Sequence, residues 1–182
     1  MKPRPHDPRK LDVAAAAALA LVLEGRWPLS GFRRLQEDAA ATVEGAEAAW
    51  SIRGQQRSVS GGEPQIWLHL AAHARVWREC QRCLLPVELE VDVARALRFV
   101  ADEATAEALD AESEDDVLAL PRRLDLHDLV EDELLLALPL VPMHTTCPVP
   151  LPMSTTGEVD DVAEPADRPF AVLERLKRGR PN

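Results

Sequence analysis

Two short motifs concentrate the metal-competent side chains of this sequence. Cys80 and Cys83 enclose two residues, and His144 and Cys147 repeat that spacing about 60 residues later. Zinc prefers four soft or borderline ligands set at the corners of a tetrahedron. A Cys pair two apart at a hairpin turn aims both sulfurs at one ion, and three Cys with one His is a structural zinc composition. Cys80, Cys83, His144 and Cys147 are therefore the candidate ligands of a structural zinc. Two other readings of the same residues stand beside this one. Free thiols also serve as small buried apolar side chains, and the Cys80/Cys83 pair alone suggests a zinc- or thiol-dependent oxidoreductase. Thioredoxin-type pairs sit at a helix N-terminus after a strand, where the helix dipole lowers the thiol pKa. Here the pair joins two strands, so that activation is missing.

Other polar clusters are less pointed. His69 and His73 share a strand face with Trp67, Arg75 and Trp77, either as an RNA-recognition surface or as the cover of a second layer. Asp128, Glu131, Asp132 and Glu133 cluster on one helix; paired carboxylates can act as acid and base, but without a metal spacing they read as a solvated helix face. The sequence contains no phosphate-cradling Gly-rich loop, nucleophile elbow or Ser/His/Asp pattern. No catalytic residue is assigned, and the chain reads as a binding protein rather than an enzyme.

Hydrophobic periodicity supplies the elements that must position these groups. Leu11–Leu23 is an Ala-rich helix candidate, with Gly25 as its stop and Pro28 beyond. Ala46, Ala48, Trp50 and Ile52 alternate with polar residues, and a turn follows at Ser60-Gly61-Gly62-Glu63-Pro64. Gln65–Arg78 places Ile66, Leu68, Leu70, Ala72, Ala74 and Val76 on one face of a half-buried strand. Leu85–Val93 repeats the alternation, Leu97 and Phe99 begin a further short strand, and the short Cys80–Cys83 connection implies a hairpin. Asp125–Leu138 changes period: Leu126, Leu129, Val130, Leu134 and Ala137 recur at three and four, the helical signature. Asp125 caps its first turn, and Leu134-Leu-Leu136 with Leu138 predicts a deeply buried last turn. Phe170–Arg178 forms a last short helix that must dock to be stable. The fold class is α+β: an antiparallel sheet or partly closed β-barrel with a buried helix packed on it, plus N- and C-terminal helices. Leu126, Val130, Leu134 and Leu138 are expected to meet Leu68, Leu70, Val87, Leu89 and Val91. The expected organisation is an N-terminal extension with the Ala-rich helix (1–38), an α+β core with an acidic insert at 101–118 (39–147), and a Pro-rich, acidic linker leading to the basic C-terminal helix (148–182).

At 182 residues the chain fits one domain with appendages. Its 46% apolar share is that of a globular protein. The longest apolar run, Val13–Leu23, falls short of the ~18 residues that cross a bilayer. Three Cys, an odd number, argue against a disulfide scaffold and for a reducing, cytoplasmic setting. The net charge of −10 is unevenly spread: residues 1–100 hold 14 bases and 12 acids, residues 101–182 hold 7 bases and 19 acids. Residues 101–116 carry eight acids and no base, which reads as a solvated loop. Both ends are basic. In the C-terminal one, Arg168, Phe170, Arg175, Lys177, Arg178 and Arg180 are the candidate contacts to RNA or a protein partner, since phosphate recognition needs only a few placed cations.

Three segments in order resemble one family: Glu79-Cys-Gln-Arg-Cys-Leu-Leu-Pro86, then Asp125-Leu-His-Asp-Leu-Val-Glu-Asp-Glu-Leu-Leu-Leu-Ala-Leu-Pro-Leu-Val-Pro-Met-His144 with Cys147, then Arg168-Pro-Phe-Ala-Val-Leu-Glu-Arg-Leu-Lys177. Together they are similar to the bacterial YceD family, the large ribosomal RNA subunit accumulation proteins, from about Ala39 onward. The resemblance implies a cytoplasmic, non-enzymatic factor in synthesis, processing or stability of large-subunit (23S) ribosomal RNA. Its expected partners are pre-ribosomal RNA or large-subunit assembly proteins. A generic protein-interaction adaptor, docking through the Phe170 helix, is the remaining alternative.

Overall fold

A computed structural model describes residues 6–113 and 115–149. The chain order is α1 (Val13–Ala18), β1 (Val22–Pro28), α2 (Arg33–Glu37), β2 (Glu47–Arg57), β3 (Gln65–Glu79), β4 (Pro86–Val100), α3 (Glu103–Asp110), β5 (Asp116–Ala119) and α4 (Leu126–Leu136). The five strands form one sheet in sequence order, antiparallel from β1 to β4 and parallel between β4 and β5. The α+β class with a helix on a sheet is what the chain adopts; of the two sheet forms expected, it is the open one, with β1 and β5 as edges.

The alternation expected in β2 and β3 sets the buried face. Ala48, Trp50 and Ile52 line up with Leu68, Leu70, Ala72, Ala74 and Val76, and then with Val91, Val93, Leu97 and Phe99 of β4. Val13 and Ala16 of α1, Phe32, Leu35 of α2, and Leu126, Val130 and Leu134 of α4 close this core. Leu89 and Leu138 pack against it half-buried, while Val87, opposite Arg78 near the hairpin, is buried outside the cluster.

Several elements differ from the sequence expectation. The Ala-rich helix stops at Ala18, where Ala20 takes a left-handed φ of 47° and the amides of Ala20 and Leu21 return to the carbonyls of Ala17 and Ala16. That closure is a Schellman motif built on a non-glycine residue. From Val22 the chain pairs with β2, so tertiary strand pairing overrides the local helix pattern. Gly25 is no helix stop; it lies under the Trp50 ring, where a Cβ would come within 2.8 Å. Residues before 38 thus contribute a strand and core side chains. β4 runs unbroken through Leu97 and Phe99, because both keep the parity of Val91 and Val93. Half of the acidic stretch is α3, started by Asp102, whose carboxylate accepts from the Thr105 amide at 2.9 Å, and seated on buried Ala106. The leucine run at the end of α4 is not buried all round: Leu134 is enclosed, while Leu136, two residues and about 200° further on, is 72% exposed. The C-terminal helix expected at Phe170–Arg178 lies outside the described residues.

Candidate metal centre

The β3–β4 hairpin ends in a tight knuckle. The Cys80 amide donates to the Leu85 carbonyl at 2.9 Å, and the Leu84 amide donates to the Cys80 carbonyl at 2.8 Å. Closing this turn requires a left-handed residue, and Leu84 supplies it with φ 59°. A turn of this kind usually places glycine there; Leu84 takes the strain, with its side chain in solvent. The turn brings Cys80, fully buried, and Cys83, half-buried, to one side.

α4 delivers the second half. After its cap at Ala137, Pro139 and Pro142 keep the chain out of helix. The Gln81 amide donates to the Pro142 carbonyl at 2.9 Å, and Arg82 Nη2 donates to the carbonyls of His144 and Thr145. These bonds lay residues 142–147 against the knuckle. The His144 amide donates to Cys80 Sγ at 3.4 Å, and His144 Nδ1 lies 3.4 Å from Cys83 Sγ. His144 Nε2 lies 3.1 Å from the Pro86 carbonyl, which can only accept. That bond assigns the proton to Nε2 and leaves the Nδ1 lone pair facing the sulfurs, the orientation a metal-ligating imidazole needs.

The ligand atoms of Cys80, Cys83, His144 and Cys147 all lie within 4.8 Å of one another. Bonds of ~2.3 Å to sulfur in a tetrahedron separate ligand atoms by roughly 3.8 Å, so the four atoms need only small rotations to enclose zinc. Burial opposes ionisation of Cys80. The N–H groups of His144, Cys83 and Arg82, together with the His144 side chain, outweigh it and hold the thiol at about 5. Cys147 moves the other way: burial and its neighbours Cys83 and Cys80 push it up. Several sulfurs packed together cannot all ionise without a cation among them. The donor set thus fits a structural zinc, with Cys80 as the most ready thiolate. The low thiol pKa equally suits a nucleophile, but Cys80 Sγ is enclosed by the knuckle and by residues 142–147, which suits a ligand instead.

The remaining polar residues singled out from the sequence separate into distinct environments. His69 and His73 lie on the outward sheet face: His69 Nε2 is 2.8 Å from Gln55 Oε1, and His73 Nδ1 is 2.9 Å from Asp92. Trp67, on the same face, is buried. The α4 acids do not form one solvated face. Asp128 is exposed and Asp132 half-buried, but Glu131 and Glu133 are buried, Glu131 bonding to the Leu35 amide and Arg34, Glu133 to Arg95. Arg78, not among the polar residues singled out from the sequence, is 7% exposed on the inward face, and its Nη2 donates to the Leu35 carbonyl at 2.8 Å. Its continuation of the β3 alternation, two residues past Val76, is the signal that places it inward. Arg168, Phe170, Arg175, Lys177, Arg178 and Arg180 lie outside the described residues. Among the described residues no helix is long and apolar enough to cross a membrane.

Comparison with known proteins matches residues 68–177 to the family model of the large ribosomal RNA subunit accumulation protein YceD. A curated relative, the large ribosomal RNA subunit accumulation protein YceD of Haemophilus influenzae, is 30% identical over 175 residues, spanning 94% of this chain and 96% of the relative. No solved structure matches the chain. The family match takes in the knuckle, α4 and the His144/Cys147 loop, and the relative extends the similarity over nearly the whole length. The chain belongs to the YceD family of large ribosomal RNA subunit accumulation proteins.

Proposed function

We propose that this chain is a cytoplasmic ribosome-biogenesis factor needed for accumulation of 23S ribosomal RNA, acting by binding and not by catalysis. Membership of the YceD family carries the reading, because its relative is named for large-subunit rRNA accumulation. The chemistry of the site supports the binding half. Three sulfurs and one imidazole nitrogen converging from two loops leave no ligand position open, and a closed set is the mark of a structural rather than a catalytic zinc. Zinc there would hold residues 142–147 to the β3–β4 hairpin. Pre-ribosomal RNA or a large-subunit assembly protein is the partner, and Arg168, Phe170, Arg175, Lys177, Arg178 and Arg180 are the contacts offered by the basic tail. Tail binding suits an acidic chain, since like charge keeps phosphate from most of its surface.

Deleting the gene and quantifying both large rRNAs tests the role. A fall in the large-to-small rRNA ratio, restored by the intact gene and not by a Cys83→Ala, His144→Ala variant, is the expected result. An unchanged ratio in the deletion strain overturns the role. Metal analysis of the purified chain separately tests the clamp, with one zinc per chain expected and a metal-free, equally stable protein counting against it.

A further inference from the structure

The sheet face turned away from α4 is divided by charge. Toward the hairpin, opposite charges interleave and pair: Arg26 with Glu47, His73 with Asp92 and Glu90, Arg75 with Glu88 and Glu90. Toward the other end, Arg53, His69 and Ala96 are neighbours across three strands, and Gln55, Trp67 and Arg98 form the next row. Among the described residues, neither these two arginines nor Arg57 has a carboxylate within ion-pair distance. Arg57 donates to Gln55 Oε1 and lies 4.0 Å over the Trp67 ring, while Arg98 Nε is buried with no acceptor. Between the halves the floor is small: Ser51, Ala71, Ala94 and Ala96 line an open trough of about 750 Å³ that reaches Arg53 and His69. The His69 ring lies parallel to Trp67, 6.5 Å away. Burial, then the charges of Arg57 and Arg53, lower its pKa, leaving a neutral flat ring.

A chain of net charge −10 has acids to spare, yet among the described residues this half-face leaves three guanidiniums without a carboxylate partner and one N–H without an acceptor. An orphaned buried donor is costly until an acceptor reaches it. We propose that this half of the outward sheet face binds a single-stranded segment of RNA, with phosphates on Arg53, Arg57 and Arg98 and a base against His69 in the alanine-floored trough. Sheet faces that present cations beside a ring suit unstacked single strands, whose bases stack on the ring while the backbone tracks the cations. The assignment rests on the reading of the chain as an rRNA factor and adds a contact on the folded body to the one offered by the tail.

The test titrates full-length protein against a labelled single-stranded oligouridylate over a salt series. Each phosphate contact with a single strand contributes about 0.7 to the slope of log affinity against log salt, so the triple variant Arg53→Gln, Arg57→Gln, Arg98→Gln should lower that slope by about 2. Arg53→Gln alone lowers it by about 0.7; Arg53 is exposed and, among the described residues, makes no ion pair, so this variant stays informative should the triple one fail to fold. Arg26→Gln with Arg75→Gln, from the ion-paired half, should leave the slope unchanged. Undiminished binding by the Arg53 and triple variants, with binding lost on replacing Arg168, Arg175, Lys177, Arg178 and Arg180 by Gln, overturns the inference and leaves the proposed role standing. Displacement by polyglutamate as effective per charge as by RNA also overturns it, making an acidic protein the occupant. Absence of binding by the wild-type chain removes RNA from this face, while the rRNA ratio in the deletion strain judges the role independently.

Discussion

Glu131 shows how one side chain can hold two helices together. α2 begins at Arg33 after Phe32, and Phe32 has no side-chain oxygen to satisfy the free amides of the first turn. Glu131 reaches across from α4 and does so instead: its Oε1 accepts from the Leu35 amide at 3.1 Å and its Oε2 from Arg34 Nε at 3.2 Å. A carboxylate at a helix N-terminus is also favoured by the helix dipole. Glu131 is 4% exposed, so its removal strands the Leu35 amide in the interior. Glu131→Ala should cost about 1–3 kcal/mol, read as a lower denaturant midpoint at unchanged slope. Asp132→Ala, next to it but with its side chain half-exposed, should cost under about 1 kcal/mol although it too pairs with Arg34. The sequence held the clue to this difference. Residues 127, 130, 131 and 134 share one face of a 3.6-residue helix, so Glu131 belongs to the buried stripe of Val130 and Leu134 by position. Its charge argues for solvent, and only knowledge of α2 opposite it decides between the two.

At the level of elements, the long strands were readable and the short ones were not. β3 and the first part of β4 announce themselves because period-two alternation over many residues has no competing explanation. β1 does not, because Val22–Pro28 follows an Ala-rich helix and gains its strand form from β2, far along the chain. The same nonlocal logic fixes α1. The Asp12 carboxylate accepts from the Ala15 amide at 3.0 Å, and Arg123 reaches it at 2.8 Å beside the Leu11–Leu124 bridge. The Ala15 hydrogen bond first, then Arg123, hold Asp12 below the usual carboxylate range. Its folded pKa is thus lower than its unfolded one of about 3.9, and the stability it adds is complete above that value and lost as pH falls through the lowered folded pKa. Asp12→Ala should cost about 1 kcal/mol at neutral pH through loss of the cap. Below about pH 4 its stability curve should converge on that of the wild type. A deficit that persists unchanged into strong acid would show that Asp12 acts by packing and not by its charge.

For the molecule as a whole, the decisive contact is between chain segments that the sheet does not join. β3 and β4 already share a full antiparallel ladder. Residues 142–147 have no strand or helix of their own to hold them; their fastening to the body consists of the Gln81 amide, the Arg82 guanidinium and the Cys and His side chains. Spacing made the four candidate ligands legible as a set, since two pairs, each enclosing two residues, can meet at one ion wherever the chain brings them. What brings them together was not legible: the left-handed Leu84 and the Pro142 carbonyl on Gln81 are properties of the folded turn. If zinc fastens this loop, chelation should act locally before it acts globally. Amides of Gln81 and His144 should exchange faster with solvent, while those of β3 from Leu68 to Val76 keep their protection, because the sheet core stands without the ion. The melting temperature should also depend on free zinc. At a hundredfold excess over Kd the ion adds about 2.7 kcal/mol, roughly 5–10 °C for a chain of this size. An equal rise in exchange throughout β3 would mean that the centre stabilises the whole fold and not a clamp. No change at either place would remove the metal from the account and leave the four side chains as a buried thiol cluster.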